Sequence, residues 1–215
     1  MRVRFATERS TDLVVAAWCV GTHLAYQGVN TLTACWKAWR VSMHVFWGVA
    51  LCKLLVRRLS KQQGDERLQH WAGKMLKRLG VELKIAGAPA QAGPMLLVSN
   101  HISWVDILAL YAACPCRFVS KADVQQWPLV GALATGGGTL FIRRDSRRDA
   151  LRMVRQMTQA LKNGDILTVF PEGTTSDGSS VLPFHSSLIG VTQKGDQWAM
   201  WGIVHTGANW LAPTW

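Results

Sequence analysis

The segment 100–106, NHISWVD, places a histidine and an aspartate five positions apart in an otherwise apolar stretch. The apolar run Met95–Ser99 predicts a strand before this segment, and Trp104–Ala113 predicts a helix after it. Residues five positions apart in an ideal helix point about 140° away from each other, so His101 and Asp106 cannot share one helical face. They can meet if His101 lies in the turn and Asp106 lies in the first turn of the helix. An Asp106 carboxylate bound to one imidazole nitrogen would then leave the other nitrogen free as a general base.

A structural interpretation of the same residues stays open. Ser103 and Asp106 fit a helix capping box, which requires no catalytic role for either side chain. His101 could equally be a hydrogen-bonded structural histidine. The motif alone therefore does not decide between a catalytic pair and a helix cap.

Two arginines form a second candidate site. Arg143 and Arg144 follow the β-rich run Thr139–Ile142, so they stand where the carboxyl end of a strand opens onto an α/β site. Paired guanidinium groups at such a place can bind phosphate bidentately. The alternative is a solvated basic helix face, which is the better interpretation for Arg147 and Arg148.

A third candidate group follows the predicted strand Ile166–Phe170. Pro171 stops this strand, and Glu172 then places a carboxylate at the strand's end. Gly173 would let the backbone approach a ligand, and Thr174 adds a hydroxyl. An ordinary turn is the alternative, because Pro, Gly, Ser and Asp are all turn residues.

Short β-rich runs alternate with helical patterns from about residue 81 onward, which predicts an α/β domain. The expected fold is a mixed central sheet flanked by helices. Helices are predicted over Asp65–Leu79, closed by Gly80, and over Ser146–Asn163, where Ser146 and Asp149 could form a capping box. The remaining predicted strands are Val81–Ile85 and Arg117–Ser120, and Met200–Val204 could still form one short strand.

The first 60 residues are expected to form helices embedded in a membrane or lying at its interface. No Asp, Glu, Lys or Arg occurs from Leu13 to Trp36 or from Val41 to Cys52. Basic residues follow, among them Arg57 and Arg58, and this pattern favours the cytoplasmic face of a cell inner membrane. A signal peptide is the weaker alternative, because no convincing small-residue cleavage site follows the apolar run.

The composition favours an anionic, lipid-rich environment. Hydrophobic residues make up 49% of the 215 residues, 11 residues are tryptophan, and the formal net charge is +11. Such a charge attracts acidic lipid headgroups and phosphorylated compounds. The sequence has no P-loop lysine, no G-x-S-x-G elbow, no zinc-ligand spacing and no RNA-binding interleaving of aromatic and basic residues. We therefore expect neither a metal ion nor a nucleic acid as a partner.

The order of the three motifs resembles the glycerophospholipid acyltransferase family. It looks most like the bacterial lysophosphatidic acid acyltransferases, which are 1-acyl-sn-glycerol-3-phosphate acyltransferases. The motifs are Asn100-His101-x4-Asp106, Phe141-Ile142-Arg143-Arg144 and Phe170-Pro171-Glu172-Gly173-Thr174, and the segment LPFHSSL at 182–188 follows them. The resemblance covers roughly residues 40–190.

The resemblance implies transfer of a fatty acyl group from acyl-CoA or acyl carrier protein to the free hydroxyl of 1-acyl-sn-glycerol-3-phosphate. The product would be phosphatidic acid, in phospholipid biosynthesis. His101 would be the general base and Asp106 would orient it, with no cofactor beyond the thioester co-substrate. The implied partners are the lysophospholipid, the acyl thioester, membrane lipid and acyl carrier protein. The residues implied in binding the acceptor's phosphate and glycerol are Arg143, Arg144, Glu172, Gly173 and Thr174.

Two alternatives remain open. Another lysolipid, for instance a lyso-aminolipid, could be the acceptor, or the chain could be an inactive membrane-binding remnant. The second alternative arises because the family pattern implies a further strand after Gly190, where this sequence has scattered tryptophans. We divide the chain into membrane-associated helices (1–60), an acyltransferase domain (61–190) and an atypical tail (191–215), truncated or frame-shifted relative to that family.

Overall fold

Strands from both ends of the chain occur in the computed structural model, which describes residues 2–4, 31–86, 93–143, 146–176, 180–185 and 199–203. Strands β1 (Arg2–Arg4) and β2 (Lys84–Ala86) form a small antiparallel ribbon. The central sheet has five strands. They are β3 (Met95–Ser99), β4 (Arg117–Lys121), β5 (Leu140–Ile142), β6 (Ile166–Val169) and β7 (Ala199–Ile203).

The five strands of the central sheet lie in the order β5-β4-β6-β3-β7, and every pair is parallel. The predicted α/β class is confirmed, but the predicted mixed sheet is wrong. After each of β3, β4 and β5, a helical connection carries the chain back to the end of the sheet at which that strand began. The next strand therefore runs in the same direction. The short strand predicted over Met200–Val204 is present as β7, which pairs with β3 along its whole length.

The helices alternate with these strands. Helix α1 (Thr31–Ala50) continues through a wider helical turn, Leu51–Leu55, and a 3-10 turn, Val56–Arg58. The others are α2 (Lys61–Leu79), α3 (Val105–Ala113), α4 (Val130–Gly136) and α5 (Arg147–Lys162), with a 3-10 turn over Ala122–Gln126.

Helix α2 begins four residues earlier than the apolar periodicity predicts. The side chain of Ser60 accepts a hydrogen bond from the backbone N–H of Gln63, and the Gln63 side chain accepts one from Ser60. This capping box satisfies free N–H groups of the first turn and so extends the helix toward its start. The helix ends at Gly80 with φ +75°, the left-handed conformation that glycine adopts without strain.

Side chains of the sheet alternate between two apolar layers, as the two-residue period of a strand requires. Leu97 packs with the buried faces of α2 and α3, whereas Leu96 and Val98 pack with Met157 and Leu161 of α5. Both faces of the sheet are therefore covered by apolar side chains.

Helix α1 packs against α2 around Trp71. Gly48 lies directly beneath the indole of Trp71, where a Cβ atom would come within 2.5 Å of the ring. The Trp71 Nε1–H donates to the carbonyl of His44, and the His44 Nε2 lies 3.0 Å from the carbonyl of Trp71.

Most of the uncharged run 13–36 falls outside the described residues. None of the helices in the described ranges is long and apolar enough to cross a membrane.

Candidate active site

The carboxyl ends of the parallel strands deliver polar residues to one edge of the sheet. His101 follows β3, Glu172 follows β6 and Arg143 follows β5. Because β3 and β6 are neighbours, the first two of these residues meet. Arg143 lies two strands away from β6, a distance of about 10 Å at the usual strand spacing. It is exposed, and Arg144 lies outside the described residues.

His101 and Asp106 contact each other in the manner that their spacing predicts. His101 lies in the turn after β3, and Asp106 lies in the first turn of α3. The Nδ1 atom of His101 is 3.0 Å from the Asp106 Oδ2. The same oxygen accepts the backbone N–H groups of Ile102 at 2.7 Å and Ser103 at 2.8 Å. One carboxylate therefore holds the imidazole and supports the start of the helix, so the two interpretations of this motif are compatible.

This contact sets the tautomer of the neutral imidazole. An ionised carboxylate only accepts hydrogen bonds, so the proton between the two side chains belongs to Nδ1 of His101. Nε2 then carries the lone pair that a general base needs. The ring also stacks on Phe170 with a centroid distance of 4.1 Å, which fixes its plane. The His101 side chain is 17% exposed, so the ring is partly open to an approaching molecule.

The backbone of His101 is held as firmly as its side chain. Its N–H donates to the Glu172 Oε2 at 3.0 Å, and its carbonyl accepts the N–H of Ser176 at 2.8 Å. The other oxygen of Glu172 accepts the N–H of Leu182 at 3.1 Å. Sequence reasoning missed Ser176 and Leu182, because a backbone donor has no sequence signature. The Phe170 stack could have been suspected, since this residue opens the third motif.

The turn after β6 has the geometry that its glycine allows. Gly173 adopts φ +72°, and its N–H donates to the carbonyl of Phe170 at 3.1 Å. A residue with a side chain would be strained in this conformation. Thr174 is exposed at the tip of the turn. The segment is thus a real turn that also carries Glu172 into the site, whereas the predicted contacts of Gly173 and Thr174 with an acceptor stay predictions.

A second charged cluster lies at the opposite end of the sheet. Buried Asp165, just before β6, accepts hydrogen bonds from Lys61 and Arg117, and Arg117 also donates to the carbonyl of Gly138 at 2.7 Å. Burial by itself raises the pKa of Asp165, but the two cationic hydrogen-bond donors outweigh it and lower the pKa below its ordinary value. This cluster ties the start of α2 to β4 and β6 and lies away from the strand ends that carry His101.

Comparisons with known proteins agree with these motifs. An acyltransferase family model matches residues 62–203. The lyso-ornithine lipid O-acyltransferase of Rhizobium meliloti is 36% identical over 137 residues, which are 64% of this chain and 47% of that protein. The corresponding protein of Pseudomonas aeruginosa is 45% identical over 120 residues, 55% of this chain and 45% of that protein.

A second group of relatives has a different named activity. The 1-acyl-sn-glycerol-3-phosphate acyltransferase of Neisseria meningitidis is 38% identical over 116 residues, 53% of this chain and 45% of that protein. The chain spans about half the length of these curated relatives. The crystal structure of the 1-acyl-sn-glycerophosphate acyltransferase of Thermotoga maritima superposes with a TM-score of 0.59 at 19% identity, covering 75% of this chain and 68% of that one. This last likeness concerns the fold.

Proposed function

The chain belongs to the acyltransferase family, and from that premise we propose that it transfers a fatty acyl group from a thioester carrier to the free hydroxyl of a lysolipid. The observation that carries the proposal is the contact between the Nδ1 of His101 and the Asp106 Oδ2 at 3.0 Å. It leaves Nε2 as a base in a partly open ring.

The proposed reaction needs no chemistry beyond proton transfer and acyl transfer. Nε2 of His101 takes the proton of the acceptor hydroxyl while that oxygen attacks the thioester carbonyl. The tetrahedral intermediate collapses, the C–S bond breaks, and the thiolate leaves and takes the proton back from the imidazolium. Asp106 stabilises the imidazolium during this sequence through its charged hydrogen bond. General-base help of this kind is typically worth about 10² to 10⁴ in rate.

A lyso-ornithine lipid is the first candidate acceptor. Two lyso-ornithine lipid O-acyltransferases are 36% and 45% identical over 137 and 120 residues, against 38% over 116 residues for a 1-acyl-sn-glycerol-3-phosphate acyltransferase. Lysophosphatidic acid is the second candidate, and its support is this last similarity together with the exposed Arg143. A guanidinium binds phosphate and carboxylate alike, so this arginine suits either headgroup.

The acceptor's headgroup would lie along the edge of the sheet. Arg143 and Arg144 would bind its anionic group, and Gly173 and Thr174 would contact the part that carries the hydroxyl. The sequence also assigns Glu172 to acceptor binding, and this assignment stays a prediction. In the structure, the Glu172 carboxylate accepts two backbone N–H groups.

The proposal includes binding to a membrane, with the cytoplasmic face of the inner membrane as its place. Large apolar side chains form one exposed stripe along α1, which is here called the α1 stripe. Lys37 and Arg40 lie on the same helix, which carries no acidic residue. An apolar stripe with basic neighbours suits the interface of an anionic bilayer, where the helix would lie in the plane of the surface. The residues of the α1 stripe are Leu32, Trp36, Trp39, Met43, Phe46 and Trp47.

The test is an acyl-transfer assay in which the donor is either labelled acyl-CoA or acyl carrier protein loaded with a labelled acyl group. The acceptors are lyso-ornithine lipid, lysophosphatidic acid and a neutral lysolipid, each presented in mixed micelles. We expect transfer to lyso-ornithine lipid that His101→Ala abolishes and that His70→Ala, a change on the exposed face of α2, leaves intact. Transfer to lysophosphatidic acid alone would support the second candidate. Transfer to none of the acceptors would contradict the proposal and favour an inactive membrane-binding remnant.

A further inference from the structure

The carboxylate of Glu172 is directed at the protein's own backbone. Its Oε2 accepts the N–H of His101 at 3.0 Å, and its Oε1 accepts the N–H of Leu182 at 3.1 Å. The residue is 4% exposed, so little of it faces a space where an acceptor could bind. These contacts join the turn after β3 to the segment 180–185 across the end of β6.

Two acidic residues contact different parts of His101. Asp106 acts on the imidazole, whereas Glu172 acts on the backbone that carries it. Ser176 completes the backbone contacts by donating its N–H to the carbonyl of His101 at 2.8 Å. Phe170, two residues before Glu172, stacks on the imidazole ring. The turn after β6 therefore contacts His101 at its N–H, its carbonyl and its ring.

We propose that Glu172 is a positioning residue, which fixes the backbone of His101 so that Nε2 stays aligned with the acceptor hydroxyl. The proposal rests on the proposed function for its reaction, but it does not depend on which lysolipid is the acceptor. A reacting group misplaced by about 1 Å can cost about 10²-fold in rate. Loss of the Glu172 contacts is expected to act in this way, through the position of His101.

A residue that binds the acceptor and a residue that positions the base differ in their kinetics. Loss of an acceptor contact made equally in the ground state and the transition state raises KM and leaves kcat unchanged. Loss of alignment in the transition state lowers kcat and leaves KM nearly unchanged. The two roles of Glu172 are therefore separable in a single variant.

The test uses Glu172→Gln in the full chain. Glutamine has the same shape, but its amide nitrogen cannot accept a hydrogen bond, so the N–H of either His101 or Leu182 loses its partner. The matched control is Glu82→Gln, which removes the charge of an exposed glutamate that pairs with Lys84. We expect kcat to fall about 10²-fold in Glu172→Gln, KM for the lysolipid to change less than about threefold, and the control to match the wild type.

A spectroscopic measurement keeps the proposal testable without activity. The imidazole C–H resonances of His101 and His44 are followed by NMR, with His101→Ala for assignment. His44 is buried against Trp71 in the helix pair α1 and α2, so it reports on the rest of the fold. We expect the His101 resonance to move in Glu172→Gln while the His44 resonance stays.

Three results would overturn the positioning role. A rise of about tenfold in KM for the lysolipid with kcat unchanged would make Glu172 an acceptor-binding residue. An unmoved His101 resonance would show that the carboxylate does not hold that turn. A shift of both histidines together would show a contribution to the whole fold. If no lysolipid is acylated by the wild type, the proposed function fails, and the NMR result still decides whether Glu172 holds His101.

Discussion

Replacing Asp106 by asparagine separates its two contacts in one experiment. The Oδ2 of Asp106 accepts the Nδ1–H of His101 and the backbone N–H groups of Ile102 and Ser103. The amide oxygen of asparagine can take over all three hydrogen bonds if it lies where Oδ2 lies. Asparagine is as good as aspartate at helix starts, so the fold should survive the change. What is lost is the negative charge beside the imidazole.

The size of the effect follows from the difference between charged and neutral hydrogen bonds. A hydrogen bond to a charged group contributes about 1.5–3 kcal/mol and a neutral one about 0.5–1.5 kcal/mol. The imidazolium formed in the transition state would therefore lose about 1–2 kcal/mol, which corresponds to a rate roughly 5- to 30-fold lower. If the amide rotates and turns its NH₂ group toward Nδ1, the imidazole takes the other tautomer, and the loss can approach about 10⁴-fold.

The assay is steady-state acyl transfer at fixed lysolipid and acyl-CoA, with thermal unfolding measured on the same preparations. Asp149→Asn is the matched control, because Asp149 lies in the first turn of α5 and its contacts are with the capping residue Ser146 and with Arg152. We expect Asp149→Asn to keep full activity and Asp106→Asn to lose at least about fivefold in kcat. Asp106→Asn with activity within about twofold of the wild type would show that the carboxylate only caps the helix.

Four further variants test the remaining parts of the structure. Arg143→Ala should raise KM for the lysolipid far more than KM for the thioester, and Arg143→Lys should restore it only in part, because a lysine lacks the planar fork. Replacing both Trp36 and Trp47, which are 57% and 63% exposed, by serine should weaken co-sedimentation with anionic vesicles by about tenfold or more, without changing the unfolding temperature. Asp165→Asn should lower the free energy of unfolding by about 1–3 kcal/mol at pH 7 and should make unfolding less sensitive to acid. Because the folded-state pKa of Asp165 is lowered, its contribution is present above the ordinary value of 3.8 and is lost as the pH falls from that value through the folded-state pKa.

Each of these variants has a control or a result that contradicts it. An equal rise in both KM values for Arg143→Ala would indicate a folding defect in place of a lost headgroup contact. Leu151→Ser removes an equally exposed apolar side chain from α5, and vesicle binding that falls as much in this control as in the tryptophan variant would contradict the membrane role of α1. Unfolding midpoints measured from pH 7 to pH 3 that run parallel for Asp165→Asn and wild type would show that the buried cluster does not contribute to the acid transition.

The sequence predicted the contact between His101 and Asp106 because these two residues are close together in the chain. The strand Met95–Ser99, the turn and the helix that follows are consecutive, so an apolar run and a capping pattern were enough to bring His101 to Asp106. The position of β6 beside β3 has no such signal, because about 70 residues separate the two strands and their order in a sheet is not encoded in spacing. For this reason the sequence placed Glu172 at the correct edge and gave no indication of its two backbone partners.

The charged residues away from the site were missed for a related reason. Lys61, Arg117 and Asp165 come from three separate elements, and in the sequence each one reads as an ordinary surface residue. Only the tertiary structure shows that Asp165 is buried between two cations. The mixed-sheet prediction is wrong although the sequence carries the relevant signal, because helical patterns between successive short strands favour a parallel sheet.

In the proposed function, the order of the strands separates the base, His101, from the headgroup contact, Arg143. His101 and the residues that contact it lie in the turns after β3 and β6, two interior strands of the sheet, where backbone hydrogen bonds hold them. Arg143 is exposed and follows β5, an edge strand, so a change at this position leaves the turn that carries His101 undisturbed. A headgroup site built on an edge strand can therefore diverge while the base stays in place. If Arg143 binds the headgroup, as we propose, variants at the end of β5 should change the acceptor preference while the contacts of His101 stay as they are.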